Sequence, residues 1–333
     1  MPSLNPVSKS PATEAAASQA PARRAHPYRA FAVRAGVGLG VIAVLLWFFN
    51  PRPVLLTLSR EHPLWFVATI ALYVAGQVMS AYRWQLVAGV IHLRARYREF
   101  LAYYFVGMFT NLFVPGLVGG DAARAIYLGR RSERMGESVA SVICDRGIGL
   151  AALFWLAGAM ALAKDSALPA SVTRPTAVVG ALVLAGYLGL PLLAMAIPYM
   201  PRTLRRAAGI VAPYLHRPLS LLLPIVLSLI LQVSLAICQW MLARGLGLST
   251  SLAVFLLCVP IANVFASLPL TLNGLGIRES AYLVLFGMAG MARQDAIALG
   301  LLWFAATMLG GLTGAIAFVS TPAPVLTARP AAD

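Results

Sequence analysis

Residues 138–163 read SVASVICDRGIGLAALFWLAGAMALA, an apolar run broken once, by Asp145-Arg146. The run exceeds the ~20 residues that cross a bilayer as a helix, so it reads as a membrane span carrying two charges. Arg146 lies roughly 13 Å beyond Glu137 along a helix, about midway through the hydrocarbon. An ionised side chain there costs at least ~2.5–3.5 kcal/mol. Neighbours on a helix point about 100° apart, so Asp145 and Arg146 cannot simply face each other. Each requires a partner from elsewhere. The sequence offers Asp121 and Glu279 for Arg146, and Arg124 and Arg278 for Asp145.

Working outward, similar apolar stretches occur at about 35–49, 63–82, 99–114, 176–198, 219–243, 251–270, 280–291 and 296–319. The composition agrees: 60% of the 333 residues are hydrophobic and only 11% are charged, against roughly 25% in a soluble domain. Mean hydropathy is +0.80. Lipid must cover that much apolar surface. The first stretch is no signal-peptide core, because Asn50-Pro51-Arg52 is not a small-residue cleavage site; its Gly36 and Gly40 form a helix-packing GxxxG pair. The Ala/Pro/Ser-rich residues 1–32 read as a disordered basic tail, 33–320 as one transmembrane domain, and 321–333 as a second disordered tail.

Lys+Arg exceed Asp+Glu by 26 to 11, giving a net charge of +15. The arginines sit in short loops between apolar stretches, which sets orientation in a membrane and does not indicate nucleic acid. If every stretch spans, the Arg-rich segments 124–134 and 202–217 fall outside, against the positive-inside rule. If 99–118 enters and returns on one face, the clusters at 23–34, 83–98, 124–134 and 202–217 all lie inside. The expected fold is therefore all-α: a polytopic transmembrane helix bundle of six spans and two re-entrant, broken-helix hairpins. The second hairpin covers about 251–291, with Pro260 and Pro269 interrupting its first stretch. Both termini are then cytoplasmic, in the inner membrane. Arg83-Trp84 reads as an interfacial anchor at the end of a span, and Arg94, Arg96, Arg98, Arg202, Arg205, Arg206 and Arg217 as orientation signals.

The two hairpins echo each other. Asn111-Leu-Phe is followed by Pro115-Gly116, Gly119-Gly120-Asp121, Arg124 and Tyr127; Asn263-Val-Phe is followed by Pro269, Asn273-Gly274, Gly276, Arg278-Glu279 and Tyr282. The Asn-to-Tyr spacing is 16 in one and 19 in the other. Entering from opposite faces, the pair forms an inverted repeat. Proline and glycine free backbone groups that are tolerated at membrane depth only where they face protein or water. Corresponding broken segments in two halves mark a binding site near the midplane. The charges among them make either a structural ion network or a polar pocket for a charged headgroup. Arginine suits phosphate, since its planar fork donates two hydrogen bonds.

The chain shows no P-loop, GxSxG elbow, HExxH motif or Rossmann fingerprint. Cys144, Cys238 and Cys258 form no CxxC pair, and His26, His62, His92 and His216 are scattered. Neither a metal nor another cofactor is expected.

The Asn111…Pro115-Gly116…Gly120-Asp121…Arg124 segment, Asp145-Arg146, and Ser267-Leu-Pro269…Asn273-Gly274-x-Gly276-x-Arg278-Glu279 resemble the lysylphosphatidylglycerol synthase transmembrane family, also called flippase-like or UPF0104. The resemblance covers about residues 35–320. Many relatives have Gly-Glu where this chain has Gly120-Asp121. The resemblance implies movement of a phosphate-bearing lipid, aminoacylated or glycosylated in some members, between leaflets. No aminoacyl-transferase domain follows residue 320, so a separate lipid-modifying enzyme would make any aminoacyl lipid. On this reading Arg146, Arg278 and Arg124 hold a phosphate. Asp121, Asp145 and Glu279 balance the arginines and can receive an amine. Gly119, Gly120, Gly274 and Gly276 admit the headgroup to the backbone, with Asn111 and Asn273 beside them. Two alternatives stay open: a membrane transferase using a polyprenyl-phosphate or phospholipid donor, and a non-catalytic partner of a lipid-modifying complex.

Overall fold

The computed structural model describes residues 61–112, 118–163, 167–199, 201–267 and 277–322. The expected first helix at 35–49, the tail 1–32, nearly all of 321–333, and Asn273, Gly274 and Gly276 lie outside them. Every regular element among the described residues is helical. In chain order these are α1 Pro63–Val90, α2 Tyr97–Thr110, α3 Val118–Ser132, α4 Met135–Ala161, α5 Ala170–Leu188, α6 Leu190–Ala196, α7 Arg202–His216, α8 Leu222–Gly245, α9 Leu252–Ala266, α10 Ile277–Met288, α11 Arg293–Leu312 and α12 Gly314–Ser320.

Among the described residues, five helical stretches are long and apolar enough to cross a membrane: Pro63–Val90, Met135–Ala161, Ala170–Leu188, Pro218–Gly245 and Arg293–Ser320. Large apolar side chains cover their outer faces, including Leu182 (65% exposed), Leu188 (68%) and Ile316 (76%). Water would not tolerate such a surface, and lipid covers it at no cost. The chain is a multi-pass membrane protein.

Three departures from the expected elements have local causes. The stretch 176–198 is two helices, because Pro191 stands in the first turn of α6 and the chain breaks at Gly189. Pro260 does not end α9; the helix runs through it to Ala266, a tolerance that membrane helices show when neighbours cover the freed carbonyl. And α1 runs to Val90, eight residues past the expected end, which draws Arg83 and Trp84 inside the bundle.

The short helices come in packed pairs. α2 and α3 have 14 and 15 residues, α9 and α10 have 15 and 12, and helices of those lengths fall short of the ~30 Å hydrocarbon thickness. Two apolar cores hold the pairs. One gathers Trp84, Val87 and Ala88 of α1 with Ile91 and Leu93 just past its end, Phe100 and Tyr103 of α2, Leu128 of α3, Val142 of α4, Tyr214 of α7 and Ile225 of α8. The other gathers Phe66 and Tyr73 of α1, Ala161 of α4, Cys238–Ala243 of α8, Phe255–Ala262 of α9, Tyr282–Phe286 of α10 and Leu299–Trp303 of α11. The long helices α1, α4 and α8 therefore contribute one end to each core. A hydroxyl relay ties the first core together: Trp84 Nε1 donates to Ser141 Oγ (3.1 Å), and Ser138 Oγ donates to the Ala125 carbonyl (2.8 Å).

Glu61, just ahead of α1, packs against Gly245 at the end of α8. It is 3% exposed, and neither carboxylate oxygen has a hydrogen-bond partner among the described residues. Burial pushes its carboxyl up to about 7.

Candidate functional site

Between the two cores lies a cavity of about 350 Å³. Its walls come from α1 (Gln77, Ser80, Arg83), α2 (Tyr104, Asn111 at its end), α3 (Gly120, Asp121, Arg124), α4 (Asp145, Arg146), α8 (Gln232), α9 (Asn263) and α10 (Arg278). Leucines 72, 112, 150, 153, 231 and 235 add an apolar wall, joined by Trp303 and Thr307 of α11. Among the described residues, four guanidinium groups and two carboxylates thus meet beside an apolar wall.

The charges form a ladder. Arg83 Nε is 2.8 Å from Asp145 Oδ1, and Arg83 Nη1 donates to Ser228 Oγ at 2.9 Å. The other Asp145 oxygen takes Arg124 Nη1 at 2.9 Å. Arg124 Nη2 and Nε reach Asp121 Oδ1 at 3.0 and 3.1 Å. Asp121 Oδ2 accepts from Arg146 Nε. One alternating chain therefore joins α8, α1, α4 and α3. Removing any inner member strands a buried charge, which is far costlier than a missing surface pair.

Local structure explains each position. Asp121 and Arg124 are one helical turn apart on α3, so both face α4. Asp145 is 1% exposed, whereas the Arg146 side chain, rotated off that face, is 33% exposed. Gly149, one turn beyond Asp145, lies beside the Arg83 guanidinium, whose Nη1 would be in ordinary contact, 3.5 Å, with a Cβ there. Arg124 lies 5.0 Å from the centre of the Trp84 ring and 5.3 Å from that of Tyr104. With three nitrogens on carboxylates and two aromatic faces against it, Arg124 is fully engaged by protein.

Asn111 has a fastening contact. Its Oδ1 accepts the Gly120 N–H at 2.7 Å, closing α2 onto the start of α3. The two helices touch there through glycine: a Cβ on Gly107 would come within 2.7 Å of the Gly120 carbonyl, and one on Gly120 would overlap the Gly107 carbonyl and the Asn111 amide.

Of the residues singled out in the sequence, Asn111, Gly120, Asp121, Arg124, Asp145, Arg146 and Arg278 line this one cavity. Gly119 stands in the first turn of α3 and does not line it. Glu279 follows Arg278 on α10. The expected pairings Arg146–Asp121 and Asp145–Arg124 are both present. The interfacial-anchor reading of Arg83 is corrected: its residue is 7% exposed and supplies the second cation on Asp145. Gln77, Ser80, Gln232 and Asn263 were also missed. Asn263 carried a signal, since it holds the place in the second hairpin that Asn111 holds in the first. No cluster of His, Cys, Asp and Glu suited to a metal occurs among the described residues.

The profile described as the lysylphosphatidylglycerol synthase TM region matches residues 34–314. A UPF0104 membrane protein of Methanothermobacter thermautotrophicus is 25% identical over 128 residues, which is 38% of this chain and 38% of that relative's length. No solved structure matches.

Proposed function

The chain belongs to the lysylphosphatidylglycerol synthase TM-region family, and we propose that it is a lipid transporter that passes a phosphate-bearing headgroup between leaflets of the inner membrane while the acyl chains stay in lipid. A role in membrane lipid biology follows from the family; transport is the reading that the cavity supports best. The observation that carries it is the meeting of four arginines and two aspartates in a hollow with a leucine wall. Charges at such depth are retained where they serve a polar pathway.

In this account α2/α3 and α9/α10 are re-entrant hairpins from opposite faces, an inverted repeat framing the chamber, and both chain termini are cytoplasmic. Their packing into separate cores at opposite ends of α1, α4 and α8 supports that arrangement. Arg146 and Arg278 hold the phosphate. Arg83, Arg124, Asp121 and Asp145 keep Arg146 and the chamber wall in position. Asn111 and Gly120 clamp the first hairpin.

The test is leaflet exchange of labelled phospholipids in vesicles holding purified protein. Wild type accelerates exchange. Arg278→Ala or Arg146→Ala removes one charge-assisted contact and slows it roughly ten- to a hundredfold. Exchange at the wild-type rate in both variants removes the site assignment.

A further inference from the structure

A row of neutral polar side chains crosses the chamber on α1. Tyr73, Gln77 and Ser80 all line the hollow. Spacings of four and three residues put them on one face of the helix, and Arg83 follows a turn later. The row runs roughly 10 Å along the axis, with Gln77 at the middle of the 28-residue helix. Val78, its neighbour, is 37% exposed on the outer side, where acyl chains cover it. At one end the Tyr73 ring packs edge-on to Trp303 (centroids 5.7 Å apart) and against Gly310, within electrostatic reach of Arg278. At the other end Ser80 precedes Arg83, which holds Asp145. Hydroxyls elsewhere in the bundle are satisfied by protein: Ser138 donates to the Ala125 carbonyl, Tyr214 to that of Val87 and Ser228 to that of Pro224. Among the described residues, the side chains of Tyr73, Gln77 and Ser80 have no such partner, and neither does the Asn263 amide across the hollow on α9. Ser80 is only 6% exposed, so the hollow must supply what it bonds. Polar groups this deep are costly unless something polar meets them.

We propose that Tyr73, Gln77 and Ser80 form an uncharged track that hydrogen-bonds a lipid headgroup as it crosses mid-membrane beside the arginines, with Asn263 facing it. This rests on the transport reading, which takes the chamber as the headgroup's route. Phenol, hydroxyl and amide groups both donate and accept. The track therefore serves a headgroup by its polarity and not by its charge, meeting phosphate oxygens, hydroxyls and ammonium groups alike. Neutral contacts also suit a ligand in motion, because one held only by charge-assisted bonds leaves slowly.

The test removes the hydrogen-bonding groups and keeps the shapes: Tyr73→Phe, Gln77→Met and Ser80→Ala together, in the full-length protein. Groups without a protein partner add nothing to the fold, so Tm in detergent should equal or exceed that of wild type. Leaflet exchange of labelled phosphatidylglycerol in vesicles should nonetheless slow at least roughly tenfold. Exchange at the wild-type rate in the folded triple variant overturns the track. So does a Tm well below wild type, which would make the three groups props of the bundle. A second measurement is independent of exchange. With Cys144, Cys238 and Cys258 replaced by alanine, Gln77→Cys should cross-link to a phospholipid whose headgroup ends in a bromoacetyl group. Val78→Cys, at the same depth but facing acyl chains, should not. Equal labelling of the two overturns the proposal, as does labelling of neither. If wild type exchanges no lipid while Gln77→Cys alone is labelled, transport falls and the headgroup contact with α1 stands. If wild type exchanges lipid, the triple variant matches it and neither cysteine is labelled, the track falls and transport stands.

Discussion

Asp145 is held between Arg83 and Arg124 at 2.8 and 2.9 Å, with 1% of its surface exposed. Asp145→Ala leaves two guanidiniums facing each other in the bundle and should cost about 3–5 kcal/mol, read as a lowered Tm in detergent. Adding Arg83→Ala to that variant should recover part of the loss, since the two act through one contact; strict additivity would show that they do not. Glu61 titrates in the opposite sense from a salt-bridged acid. Its folded-state value of about 7 stands above the ordinary 4.5, so the native state binds the proton more tightly than the unfolded chain. Stability is greatest below pH ~4.5 and declines as pH rises through about 7, where the buried carboxylate must ionise. Glu61→Gln should flatten that decline and raise Tm at pH 8, by roughly 2–4 °C for each kcal/mol removed; an unchanged pH profile counts against the burial. Some of this was legible in the sequence and some was not. Asp121, Arg124, Asp145 and Arg146 could be paired because their depth demanded partners. Arg83 could not, because the apolar run fades near residue 82 while packing carries α1 on to Val90. Glu61 gave no signal, since its burial depends on Gly245, far away in the chain.

At the scale of elements, the first hairpin is fastened by Asn111 on the Gly120 amide and by the Gly107–Gly120 approach. Gly120→Ala forces its methyl into the Gly107 carbonyl and the Asn111 amide. It should part α2 from α3, expose the chamber floor and slow lipid exchange, while Gly209→Ala, where a Cβ meets open space, should leave exchange unaltered. Protease or alkylation sensitivity of α3 should rise with the first substitution only. Two of the short helices, α2 and α10, were visible in the sequence as apolar stretches too brief to span, whereas α3 overlaps an Arg-rich segment and α9 a stretch of spanning length. Pro260 misled because its environment, not its ring, decides whether a membrane helix continues. Gly189 and Pro191 lay inside an unbroken apolar stretch, and the backbone rule for proline located the break only once the helix was seen.

Across the whole molecule, eight of the described helices converge on one hollow about 350 Å³ in volume. Composition made the membrane class evident, and the repeated Asn-Phe-Pro-Gly pattern pointed to the residues that meet. What composition could not supply was the order of the ladder, because long-range pairing depends on how α1, α4 and α8 cross. The account's central claim is that this hollow receives a lipid phosphate at mid-membrane depth. It is tested most directly by a cryo-electron microscopy map of the protein in phosphatidylglycerol nanodiscs. The account predicts phosphate density within about 3 Å of Arg146 and Arg278, with the Asp145–Arg83 and Asp145–Arg124 contacts intact. A chamber filled only by protein or by acyl-chain density, with every lipid phosphate at the membrane surface, would contradict it.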